Sequence, residues 1–360
     1  MAKTDFYQLS VKDIVRETPD CVSVAFEIPH DAKEHFDFIP GQYLTFKHQH
    51  EGEELRRSYS ICSAPYEGEL RVAIKKVEGG IFSTYANEKL AVGDVLETMP
   101  PMGNFTTDIN ASHDKNYVAF VAGSGITPVM SIVKTVLQEE PKSSFTLIYG
   151  NKEFQSIIFR EEIEALKNKY LNRLQVVHIL SRERLESELN CGRIDSAKCE
   201  ALCSTLLSLE ITDKAFICGP EAMIHAVKDY LLENGMDKSA VKFELFTSSV
   251  PLGNKTVAKA EDIDDSDLCD VTVKVDDRTF DLKLAYEGFT ILDAALSKGA
   301  DLPYACKGGV CCTCKCKVVE GEVEMEVNYA LEDEEVSDGY ILSCQAHPKS
   351  KKVVVDFDVS

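Results

Sequence analysis

Nowhere in the chain do about 18 apolar residues follow one another, so no segment is suited to crossing a bilayer as a helix. The opening residues, MAKTDFYQLSVKD, lack the apolar stretch of a signal peptide, and a cytoplasmic location is expected. Internal repeats and low-complexity tracts are also missing, and an apolar share of 44% is ample for packed cores, so disorder is not expected. Positive charge is scarce: 39 Lys and Arg face 60 Asp and Glu, a net charge of −21. That argues against nucleic acid and anionic membrane surfaces as partners. It suits either docking onto a basic protein surface or solubility alone.

What is present points elsewhere. At 360 residues the chain is too long for one ordinary domain, and two or three are expected. Thirteen cysteines in a chain of the cytosolic kind speak for metal binding over disulfides. They are unevenly placed, with five between Cys306 and Cys316.

Three segments emerge. Residues 1–108 read as short strands with turn signals between them, among them QYLTFKH, LRRSYSIC and LRVAIKKV, which suggests a small antiparallel β-barrel. Residues 109–247 alternate strand and helix: NYVAFVAG, ITPVMSIVKTVLQ, SFTLIYG, IIFREEIEALKNKY, LQVVHIL, KAFICG, AMIHAVKDYLLENG and VKFELF. That alternation predicts a parallel sheet in an α/β domain. Residues 248–267, with Pro251, Gly253 and an acidic run, read as a linker. Residues 268–360 open with two strands and a short helix that Thr290 can cap, followed by a cysteine-rich loop, an acidic turn and further strands. An α+β, β-grasp-like unit is expected there.

Cys306, Cys311, Cys314 and Cys344 follow the spacing C-x4-C-x2-C-x29-C. A 2Fe–2S cluster needs four converging thiolates; a tight loop can supply three and a neighbouring strand the fourth. Gly308 and Gly309 let the loop bend close and aim N–H groups at sulfur. Structural zinc is the alternative, but it usually takes two C-x2-C knuckles or a histidine pair, and His347 is the lone nearby histidine. Cys312 and Cys316 are read as spectators. Residues 268–360 resemble plant-type ferredoxin domains.

Arg57-Ser58-Tyr59-Ser60 lies on an expected strand and resembles the R-x-Y-S motif of ferredoxin–NADP reductase-like flavoproteins. Pro40-Gly41-Gln42-Tyr43 upstream is similar to their PGQ-Y. The resemblance implies FAD, with Arg57 on phosphate, Tyr59 stacked on the isoalloxazine and Ser60 at the reactive flavin edge, a catalytic position. Lys75 and the turn Gly79-Gly80-Ile81-Phe82-Ser83 open an expected helix. The resemblance implies that Lys75, Gly80, Phe82 and Ser83 seat the FAD pyrophosphate.

Gly123-Ser124-Gly125-Ile126-Thr127-Pro128 runs from a strand into a helix, where a phosphate is favoured. The pattern is G-x-G-x-x-P, so the dehydrogenase fingerprint is not met. It resembles the same reductase family, in which Gly123, Gly125, Thr127 and Pro128 would lie between pyridine nucleotide and flavin. Cys218-Gly219-Pro220 is similar to the family's second motif, which sets Cys218 beside the nicotinamide ring as a second catalytic position. Glu244 and Phe246 match its E-x-F, with the aromatic ring approaching the flavin. Ser181 and Arg182 fall where the family contacts a 2′-phosphate, implying NADPH, with NADH possible; Lys152 stands where an arginine would be expected.

The chain is thus similar throughout to reductases that join a ferredoxin–NADP reductase-like flavoprotein to a C-terminal plant-type ferredoxin. The resemblance implies transfer from NADPH to FAD, to the 2Fe–2S cluster, and on to a partner oxygenase, a di-iron one. A Rieske dioxygenase, a desaturase or a hybrid-cluster protein are alternative acceptors. A redox-sensing or scaffold protein without turnover is the reading from another class. Residues 269–360 carry 18 acidic against 10 basic residues, which fits electrostatic docking.

Overall fold

The computed structural model describes residues 5–246 and 268–359; the linker expected at 248–267 lies outside them. The first sheet is built from β1 (Tyr7–Thr18), β2 (Cys21–Glu27), β3 (Tyr43–His50), β4 (Glu53–Ser60), β5 (Leu70–Lys75) and β6 (Val95–Thr98), with α1 (Ile81–Glu88) between the last two. Its strand order is β4-β3-β6-β1-β2-β5, antiparallel at each pairing. Past β4, Ile61 bridges Val72 and the Cys62 N–H donates to Arg71 O at 2.9 Å. The two sheet edges are thereby joined, giving the expected barrel. Phe46 fills its interior, 5.2 Å from Phe26 and 5.9 Å from Phe82 between ring centres. The sequence pattern does not reveal β6: it is four residues long, and although its burial alternates, Val95 is exposed and Thr98 buried, so polarity does not follow burial.

The second sheet belongs to the same compact unit, Tyr7–Phe246. Its elements are β7 (Asn116–Ala122), α2 (Ile126–Glu139), β8 (Ser144–Asn151), α3 (Arg160–Lys169), β9 (Leu174–Leu180), α4 (Ser196–Thr205), β10 (Lys214–Cys218), α5 (Glu221–Glu233) and β11 (Val241–Glu244). The order β11-β10-β7-β8-β9, parallel throughout, is the doubly wound pattern, and it reverses direction between β7 and β10. The helix expected from Ile157 starts only at Arg160, because the backbone at Phe159 is left-handed, which a right-handed helix cannot contain. Phe159 takes φ 59° to make the turn. The unanticipated α4 buries only Cys199 and Leu202, too few to show a period, although Asp195 caps it by accepting from the Lys198 N–H at 2.9 Å. α2 is fastened to the barrel: the Ser131 hydroxyl donates to Ser63 O at 2.6 Å, and Lys134 Nζ pairs with Glu67 at 3.1 Å.

The second unit comprises β12 (Leu268–Val275), β13 (Arg278–Ala285), α6 (Ile291–Ser297), β14 (Lys315–Glu320), β15 (Val323–Met325), α7 (Asp333–Ser337), β16 (Tyr340–Leu342), β17 (Ala346–Pro348) and β18 (Lys352–Asp356). One sheet runs β13-β12-β18-β14-β16, and β15 pairs with β17. Only β12 and β18 are parallel neighbours, the β-grasp arrangement expected. The Thr290 hydroxyl caps α6, accepting from the Asp293 N–H at 3.2 Å. The stretch read as an acidic turn contains α7, where Glu335 reaches back to the Glu332 N–H at 3.0 Å.

Phe216 sits among Phe105, Tyr117 and Phe145 at ring-centre distances of 5.5–6.4 Å and is fully buried. Phe216→Ala should destabilise this unit by about 3–5 kcal/mol, read as a lower urea midpoint for flavin-domain unfolding; a shift under about 1 kcal/mol would contradict that packing.

Candidate functional site

The site forms where the strand order reverses. Cys218, the last residue of β10, pairs with Val121 of β7 on one side and Glu244 of β11 on the other. The chain leaves β7 through Gly123-Ser124-Gly125 and leaves β10 through Gly219-Pro220. A Cβ on Gly125 would lie 2.1 Å from Cys218 O and 3.0 Å from the Gly219 nitrogen. Only glycine lets these two turns touch. No side chain caps α2 and no acid stands in its first turn, which leaves its N-terminus receptive to an anion. Thr127 and Pro128 are buried, and the Thr127 hydroxyl donates to Ser124 O at 3.0 Å, so they brace the turn. Tyr149, which no sequence motif singles out, donates its hydroxyl to Gly123 O at 3.0 Å.

Cys218 is fully buried; desolvation, with a smaller push from Glu244, holds its thiol well above the ordinary range. It is a neutral packing group there, not a nucleophile. The Ser60 hydroxyl, from the barrel, donates to Glu244 Oε2 at 3.3 Å. Desolvation pushes the Glu244 carboxyl up to about 8, against the lowering effect of that hydrogen bond. Ser60, Cys218 and Glu244 therefore converge. Phe246, two residues past Glu244, is exposed.

Strand alternation divides the R-x-Y-S residues between two faces. Arg57 and Tyr59 share a face with Phe46, while Ser58 and Ser60 lie on the other, where Ser58 Oγ is 3.0 Å from Thr45 Oγ1. Burial raises the Tyr59 phenol pKa, and its ring stacks 5.6 Å from Phe82. Arg57 is exposed and donates to Arg56 O at 2.7 Å; among the described residues no carboxylate pairs with it. Lys75 pairs with Asp20 at 3.5 Å. Gly80 begins α1, which has no side-chain cap and no acid in its first turn. Ser83 accepts from the Val77 N–H at 3.1 Å and donates to Gly80 O at 3.3 Å, and Phe82 is buried in the barrel core. These two side chains build the turn, and its backbone is what remains to meet a phosphate. Ser181 and Arg182 extend the β8–β9 pairing through backbone bonds to Asn151 O and Lys152 O, both 2.9 Å, with both side chains exposed.

In the C-terminal unit the four cysteines of the C-x4-C-x2-C…C pattern come together. Cys306 Sγ and Cys311 Sγ are 3.1 Å apart. Cys344 bonds to both Cys306 and Cys314. Cys306 receives bonds from Cys311 and Cys344 and from the Gly308 and Val310 N–H groups, which hold its pKa far below the thiol range and push Cys311 and Cys344 upward. The Cys306 sulfur thus sits inside a ring of donors that favours its thiolate form, the environment that iron-bound thiolates require. Among the described residues no group of three or more His, Cys, Asp or Glu side chains is arranged to hold a single metal ion, these cysteines included. Cys316 is buried in β14 with a raised pKa, away from this bonding, and Cys312 is also buried.

The chain is 47% identical over 355 residues, 99% of its length and 98% of the relative's, to a component of the 1,2-phenylacetyl-CoA epoxidase of Escherichia coli K12. It belongs to the ferredoxin–NADP reductase family. Family models described as an oxidoreductase FAD-binding domain, an oxidoreductase NAD-binding domain and a 2Fe–2S iron–sulfur cluster binding domain match residues 8–107, 120–229 and 273–349. A 3-ketosteroid-9-alpha-monooxygenase ferredoxin reductase component of Rhodococcus rhodochrous is 35% identical, with 97% of this chain and 96% of the relative covered. The solved structure of phthalate dioxygenase reductase shares the fold, with TM-score 0.58 at 21% identity over 98% of each chain.

This ferredoxin–NADP reductase family member is therefore an oxidoreductase that uses FAD, a pyridine nucleotide and a 2Fe–2S cluster. The uncapped helix starts, the two touching turns and the donor-ringed sulfurs fit those groups. No described helix is long and apolar enough to cross a membrane. Gly125→Ala should lower NAD(P)H-driven dye reduction at least tenfold while the flavin-to-protein ratio stays constant. The Gly123→Ala control meets nothing within 4 Å and bears only the strain of φ 56°, so it should lose less. Equal losses in the two variants would count against the Gly125–Cys218 contact.

Proposed function

We propose that this protein is the NADPH-dependent reductase of a multicomponent oxygenase, a di-iron epoxidase acting on phenylacetyl-CoA. The observation that carries this reading is the end-to-end 47% identity to the epoxidase component of Escherichia coli. Bound flavin accepts a hydride and releases electrons singly, which suits a one-electron iron–sulfur acceptor. The chain's own residues would divide the work. The Gly123–Gly125 turn and α2 would receive the nucleotide phosphates, and Cys218 would pack against the nicotinamide as a neutral, water-excluding surface. Exposed Arg182, which no described carboxylate pairs with, supports a 2′-phosphate contact and hence NADPH. Arg57 and the α1 N-terminus would hold the flavin phosphates, and Tyr59 would lie against the ring system. Ser60 would meet the flavin edge. Cys306, Cys311, Cys314 and Cys344 would hold the iron. All thirteen cysteines are free, which supports a reducing, cytoplasmic setting.

The test is anaerobic stopped-flow mixing with NADPH or NADH, then turnover with a phenylacetyl-CoA epoxidase oxygenase or with a ketosteroid oxygenase. Flavin bleaching followed by loss of cluster absorbance, with NADPH faster and coupling to the epoxidase, is the expected result. Preferential coupling to the ketosteroid oxygenase would move the partner to the acceptor class of the second relative. Cys344→Ser should abolish the cluster's visible and paramagnetic signals, whereas Cys312→Ser and Cys316→Ser should keep them. Retention in Cys344→Ser would refute the ligand assignment.

Glu244 supplies a pH signature. Its folded pKa of about 8 stands above the ordinary value of 4.5, so the carboxyl is neutral below pH 8 and ionised above it. A carboxylate beside Ser60 would oppose the negative charge gained on flavin reduction. Flavin reduction should slow as pH rises through about 8, and Glu244→Gln should remove that limb while activity is retained. An unchanged profile in Glu244→Gln would rule the residue out as its source.

A further inference from the structure

Gln345 follows Cys344 and is 6% exposed. Its Nε2 donates to Lys307 O at 3.0 Å and to Cys344 O at 3.0 Å, and lies 3.6 Å from Cys344 Sγ. The amide nitrogen has two hydrogens, so one serves Lys307 and the other is shared between the Cys344 carbonyl and sulfur. Its orientation is forced, because a flipped amide would set an oxygen against two carbonyl oxygens. The Gln345 N–H is held by Leu342 O at 2.9 Å. A Cβ on Gly309 would come within 3.2 Å of Gln345 Cγ and 2.9 Å of Val327 Cγ2, so the loop leaves room for this side chain only with glycine there.

We propose that Gln345 is a positioning and tuning residue for the cluster: it ties the loop at Lys307 to the turn between β16 and β17 that bears Cys344, and donates to the Cys344 sulfur, raising the reduction potential. The inference rests on the reading that Cys344 is a ligand. The sulfur, a thiol here, becomes a thiolate when iron is bound. One electron enters the cluster on reduction and leaves on oxidation by the partner, and Gln345 neither gains nor loses a proton. A donor to the sulfur stabilises the reduced form more, because that form carries the extra negative charge.

The test is a redox titration of the holoprotein, followed by electron paramagnetic resonance, for wild type and Gln345→Met, which keeps the length and removes the donor. At a fixed applied potential the ratio of reduced to oxidised cluster should fall about threefold or more, less than the full worth of a hydrogen bond to a charged group because the bond is made in both oxidation states and only the difference is lost. An unchanged ratio at full iron content would overturn the proposal. A second measurement does not require the variant to assemble: wild type labelled with nitrogen-15 in its glutamine side-chain amides should show a hyperfine coupling to the reduced cluster. Absence of that coupling would also overturn it. Where Cys344→Ser has lost the cluster, either negative result concerns Gln345 alone. A cluster surviving in Cys344→Ser would overturn the ligand reading and this inference with it.

Discussion

A Cβ on Gly125 would come within 2.1 Å of the Cys218 carbonyl, and the geometry of the flavin–nucleotide unit follows from that contact. It fixes how closely the turns after β7 and β10 approach at the point where the doubly wound sheet reverses. Because Cys218 is in register with Glu244, the contact also sets the end of β11. Glu244 in turn accepts from Ser60, 184 residues earlier in the chain and on a different sheet. One backbone approach thus aligns segments that local sequence could never have brought together. The Ser131–Ser63 and Lys134–Glu67 bonds hold α2 against the barrel and keep that alignment.

The chemistry of this junction is that of a site neutral at rest. Burial keeps the Cys218 thiol protonated and keeps the Glu244 carboxyl protonated up to about pH 8, with Ser60 between barrel and sheet as a hydrogen-bond donor. In a low-dielectric pocket a fixed negative charge would be costly and would repel electrons arriving on a neighbouring group. Neutral donors carry no such cost, and they act without reorganising as charge develops.

Much of this was legible in the sequence because it depends on short motifs with fixed spacing. The cluster cysteines, the glycine turn after β7 and the change from period two to strand–helix alternation need only neighbours in the chain. What escaped notice depends on distant contacts or on weak periodicity. β6 is four residues long and exposes Val95 while burying Thr98, so polarity hides its alternation, and α4 buries only two residues, too few to show a helical period. The buried run Ile157–Phe159 looked like the first turn of a helix until its φ of 59° at Phe159 showed a sharp turn. Motif reading grouped Phe82 and Ser83 with the residues meeting phosphate, yet their side chains are spent on core packing and on the turn. Adjacent residues on a strand or at a helix start do not point the same way, and a motif written as a string hides that.

The charge balance links both units. An FAD diphosphate, a pyridine nucleotide and an iron–sulfur cluster are all anionic, yet the chain has 21 more acids than bases. Several cations near these places are already committed: Lys75 to Asp20, and Lys307 to Asp293 at 2.8 Å. Backbone N–H groups take over much of the task, at the starts of α1 and α2 and around Cys306, where Gly308 and Val310 donate to sulfur. Peptide dipoles stabilise an anion without adding net charge, so the outer surface is free to stay acidic. Strong negative charge outside and dipole-lined anion seats inside are therefore compatible, and a C-terminal unit with 18 acids against 10 bases can attract a basic partner without weakening its own hold on an anionic cluster.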